Sequence, residues 1–85
     1  MNLPEVKDLI AGALDNLETV RQQIVSGVEG ADEVKEGTIG QLGESAEAVA
    51  ILIQGGALLS EADGIAAQLQ EKLEEAQTSL ESVNG

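Results

Sequence analysis

A chain of 85 residues forms one small domain, 1–85, and buries little apolar surface by itself. It has no cysteine, histidine or aromatic residue, which excludes disulfides, imidazole-bound metals and His- or Cys-based catalysis. Sixteen acids against four bases give a net charge of −12, which excludes nucleic acid and disfavours anionic membranes as partners.

At the N-terminus, Asn2-Leu3-Pro4-Glu5 reads as a helix cap with a carboxylate at the third position, and proline is tolerated in a first turn. Leu3, Ile10, Leu17, Ile24 and Ala31 recur every seven residues, as do Val6, Ala13, Val20, Gly27 and Val34. Taken as a and d positions, they predict one continuous seam over 3–34. In that frame Glu5, Asp8, Asp15, Glu18, Glu29, Asp32, Glu33 and Glu36 all fall on outer b, c or f positions. A helix is therefore predicted over 3–36, about 50 Å long. Lys7, Arg21 and Lys35 take e positions beside the seam, where they would select an acidic partner helix and its orientation, or cover the core edge with their stems.

Gly37 sits where a left-handed cap would end this helix, and Thr38-Ile39-Gly40-Gln41 reads as a capping box for the next. A stop signal against a start signal predicts a tight reversal near mid-chain. The fold class expected is all-α: an antiparallel hairpin of two long helices, 3–36 and 38–83.

The second arm carries two frames. Ile39, Leu42, Ala46, Val49 and Ile53 form one; Leu59, Ala62, Ala66, Leu69, Leu73, Ala76, Leu80 and Val83 form the other. The steps between them at 53, 56, 59 and 62 make a stammer, with Gly55 and Gly56 inside it. This predicts either a helix that continues there, strained or kinked, or one broken there to give three helices, with Ser60 as the restart signal. Around it, Val49–Ile53 and Ala57–Leu59 are apolar on every side, and a helix apolar all round is covered all round. The second arm also outruns the first by about ten residues, which leaves 73–83 without an intrachain partner. Both features predict self-association or a helical protein partner, with Ile53, Leu58, Leu59, Leu69, Leu73 and Leu80 as the interacting residues.

No nucleophile–base pair and no phosphate-binding glycine loop is present, and no enzymatic activity or cofactor is expected. Glu29, Asp32, Glu33 and Glu36 line one helix face, where a weak divalent-cation site competes with a solvated surface as the reading. The segment 48–59 is interrupted by Gln54 and two glycines and is expected to be too short to span a bilayer. The N-terminal stretch lacks a basic, apolar leader. The chain is thus expected in the cytoplasm, exported by a signal-independent route, or built into a particle.

In length, acidity and mid-chain turn, the chain resembles the WXG100/ESAT-6-like proteins of type VII secretion. The likeness covers the whole chain at the level of architecture and charge. The turn segment reads Glu36-Gly37-Thr38-Ile39-Gly40-Gln41-Leu42-Gly43, without the family's Trp-x-Gly, and no Tyr is present for its C-terminal signal. The resemblance implies a helical hairpin that pairs into a four-helix bundle. Three functions are consistent with the sequence: a helical interaction protein, associated or not with secretion; a small structural subunit of a virion or filament; and an acidic regulator of the antitoxin type.

Overall fold

The computed structural model describes residues 1–83. Two helices, α1 (Leu3–Leu42) and α2 (Glu47–Glu81), fold back on one another as an antiparallel hairpin measuring 63 × 16 × 15 Å. Asn2 caps α1 as predicted, its Oδ1 accepting from the Glu5 N–H at 2.9 Å, and Pro4 lies in the first turn.

The reversal falls later than the sequence signals place it. Gly37 and Thr38 are inside α1, and the Thr38 hydroxyl donates back to the Val34 carbonyl at 2.8 Å. Gly43 makes the turn instead, with φ +89 and its N–H donating to the Ile39 carbonyl at 2.8 Å. The reason is tertiary. Thr38 and Ile39 continue the half-buried face of Ala31 and Lys35 beyond Gly37, and that packing outweighs the roughly 1 kcal/mol that a mid-helix glycine costs.

Moving the turn evens the arms, at 40 and 35 residues. The segment 73–80 is therefore not an unpartnered overhang: Leu73 and Leu80 are half-buried along the hairpin seam. Helix α2 is continuous through Gly55 and Gly56, neither of which has positive φ, so the alternative of a broken second helix does not hold.

The half-buried residues define the true seam. On α1 it runs through Leu3, Lys7, Ile10, Leu14, Leu17, Arg21, Ile24, Val28, Ala31, Lys35 and Thr38, with Val6, Ala13, Gly27, Gly30 and Ile39 half-buried beside it. On α2 it runs through buried Val49 and Ala66 and half-buried Leu52, Gly56, Leu59, Asp63, Gln70, Leu73, Gln77 and Leu80, with Gly55, Ala62 and Ala67 half-buried beside it. Both series alternate steps of three and four without interruption, so no stammer exists. The core is thin: among the described residues only Val49 and Ala66 are buried, at 3% and 7% exposure.

Candidate interaction surface

Lettered on the observed seam, α1 has Lys7, Leu14, Arg21, Val28 and Lys35 at a, and Leu3, Ile10, Leu17, Ile24, Ala31 and Thr38 at d. The three basic residues therefore lie in the seam and not beside it. Val20 and Val34, expected inside, are exposed. A long basic stem takes the inward place readily, because its methylenes pack while its head reaches the edge.

Arg21 is held by three hydrogen bonds across the hairpin. Its Nε donates to Asp63 Oδ1 at 2.9 Å, its Nη2 to Asp63 Oδ2 at 3.3 Å and its Nη1 to Gln70 Oε1 at 2.7 Å. Gln70 in turn donates to Glu74 at 3.4 Å. The hydrogen bond from Arg21 is the largest influence on Asp63 and holds its carboxyl below the usual range; desolvation opposes it and the nearby positive charge adds to it. The Arg21 guanidinium is raised correspondingly, first by that hydrogen bond. Lys35 pairs within α1 with Asp32 at 2.9 Å, which raises its ammonium. Lys7 is half-buried near the open end, and no ion pair involves it among the described residues.

These groups occupy one broad side of the hairpin. In an antiparallel pair the e columns share one side and the g columns the other. A shallow groove lined by Val28, Asp32, Lys35, Ile53 and Ser60 runs along the e side, and another by Arg21, Val25, Asp63 and Gln70.

The opposite side differs in kind. Its g columns are Val6, Ala13, Val20, Gly27 and Val34 on α1, and Gly55, Ala62, Leu69 and Ala76 on α2. Its outer c columns include Leu9, Gly30 and Gly37 on α1, and Ile51, Leu58 and Ile65 on α2. Every charged residue of the two helices except Lys72 lies at a, b, e or f, so this face is uncharged along nearly its whole length. Lys72 itself is paired with Glu75 at 3.0 Å. Yet its outer residues are solvent-exposed: Leu58 and Ile65 are about two-thirds exposed, at 65% and 66%, and Leu9, Val34, Ile51 and Leu69 are each at least half exposed, while Val6, Ala13, Gly27, Gly30, Gly55 and Ala62 are half-buried.

The residues expected to interact are thus divided. Leu58 and Leu69 lie on the uncharged face, Ile53 is exposed on the charged side, and Leu59, Leu73 and Leu80 serve the intrachain seam. Ile51 belongs to the apolar stretch 49–53 expected to be covered by a partner, whereas Ile65 and the exposed Val20 and Val34 of α1 were missed as a surface. The signal that would have found them is the absence of acids at c and g in both helices.

Because α2 is unbroken, its apolar stretch is longer than the segment 48–59. Between Glu47 and Glu71 the only charged residues are Glu61 and Asp63, and by length and composition the helix is apolar enough to cross a membrane. Among the described residues no cluster of three or more carboxylates is arranged to hold a metal ion, the Glu29–Glu36 face included. Compared with protein-family models, characterised proteins and solved structures, the chain matches none.

Proposed function

We propose that this chain is a non-enzymatic helical interaction protein that docks helices of other molecules onto its uncharged face. The observation that carries the reading is the segregation of charge. A chain of net charge −12 keeps one 63 Å face free of acids and places exposed Leu58, Ile65, Ile51 and Val34 on it. Exposed apolar surface of that extent marks an interaction site. The narrower reading, a role in type VII secretion, rests on the acidic hairpin architecture, and the Gly43–Ala46 turn carries no Trp.

Affinity isolation with the wild-type chain and with a Leu58→Glu, Ile65→Glu double variant tests the reading. Both substitutions keep good helix formers at exposed sites, so helicity is retained. Helical proteins held by the wild type, further copies of itself among them, are expected to be lost by the variant. Identical sets of bound proteins would contradict the reading.

A further inference from the structure

We propose that the occupant of the uncharged face is a second copy of this chain, joined by a two-fold axis along the hairpin's length so that both turns lie at the same end. The inference rests on that face being the docking surface, and three observations select its occupant.

The first is area. The chain exposes 6040 Å², whereas a compact protein of 8.7 kDa exposes about 4,700 Å², an excess of about 1,300 Å². A stable interface takes about 800 Å² from each partner. The excess is therefore large enough for one stable interface with a further copy.

The second is charge. Two chains of net charge −12 repel one another least when the surfaces that meet hold no acids, and this face meets that condition. The dimer keeps both acidic sides outward. A membrane fits less well, because the chain has no aromatic residue for the headgroup region and only four bases.

The third is shape. Ile51, Leu58 and Ile65 form a ridge on α2, while Gly30 and Gly37 leave open space on α1, with nothing within 4 Å of an added Cβ at either. Heights are fixed by Gly27, whose added Cβ would lie 3.5 Å from Leu59, and by Arg21 against Asp63. Gly30 is therefore level with Leu58, and Gly37 with Ile51, to within a helical turn. A two-fold along the hairpin lays α2 of each copy over α1 of the other at unchanged height, so ridge meets glycine trough twice. A two-fold across the hairpin sets each ridge against the other copy's α2 and leaves the troughs empty.

Because the natural chain has no cysteine, Glu44→Cys places a single nitroxide label in the exposed turn, away from the face. Sedimentation velocity reports the mass, and electron–electron double resonance the distance between labels. A dimer with labels separated by well under half of 63 Å, and dissociated by Leu58→Glu, is the expected result. A dimer with labels near the full length would overturn the axis. A monomer at micromolar concentration would overturn the second copy, as would a monomer that co-floats with phosphatidylcholine vesicles. If such a monomer still retained a helical protein in a Leu58-dependent way, the docking surface would stand without self-pairing. A dimer indifferent to Leu58→Glu would overturn both.

Discussion

Arg21 and Asp63 face each other across the hairpin at positions that a heptad seam normally gives to apolar side chains, with Nε and Oδ1 2.9 Å apart. A polar pair inside a seam is a means of fixing register, because any slip separates the partners and leaves both half-buried charges unmatched. With Gln70 as a third member, the pair ties the middle of α1 to two positions about two turns apart on α2.

Asp63→Asn is expected to lower the melting temperature at pH 7, measured by circular dichroism. Its carboxyl is depressed in the folded state from an ordinary value of 3.8, so its contribution is complete above that value and is lost as pH falls through the folded one. The gap between wild type and variant should therefore close in acid below pH 3.8. A gap unchanged between neutral pH and pH 2 would show that Asp63 acts by shape alone.

Arg21→Glu should destabilise the hairpin itself, because it sets two carboxylates against each other inside the seam, and the loss should be larger at low salt. Lys7→Glu, near the open end, should cost less. Thermal melts at two ionic strengths distinguish them, and equal effects would remove the special status of the Arg21 cluster.

Much of this fold is readable from residue spacing, and the failures have a common cause. The column Leu3, Ile10, Leu17, Ile24 and Ala31 is inward as expected, and both arms are helical. Each helix, however, carries a second apolar stripe next to the first. Periodicity places the valines of α1 inward because valine is more apolar than lysine or arginine. In the fold, Lys7, Arg21 and Lys35 go inward, Val6 stays half-buried beside the seam, and Val20 and Val34 remain for an external face. On α2 the same substitution of polar for apolar at Asp63, Gln70 and Gln77 disguises a regular heptad as a stammer. A sequence holding two stripes does not say which one its own chain covers.

Gly37→Ala and Gly43→Ala should have opposite signs. Gly37 is mid-helix in open space, so alanine should stabilise by about 0.5–1 kcal/mol. Gly43 has φ +89 and ψ 162, a conformation nearly restricted to glycine, and alanine should cost about 1–3 kcal/mol. Denaturant titration checks both. The reverse pattern would return the turn to Gly37.

Gly56→Ala should also stabilise, by about 1 kcal/mol, since an added Cβ meets nothing within 4 Å and the helix is unbroken there. Loss of stability on chemical denaturation would indicate a break in α2.

The most direct measurement compares one added charge on the two sides of the molecule by sedimentation equilibrium at micromolar concentrations. Ile65→Glu places it on the uncharged face, and Ser26→Glu on the outer, charged side of α1. Both chains should remain helical. Burying an isoleucine is worth about 1.5–3 kcal/mol and each two-fold interface contains two, so Ile65→Glu should weaken association more than about a hundredfold. Ser26→Glu should associate like the wild type. Equal association by all three chains would contradict the assignment of the uncharged face as the surface through which this protein works.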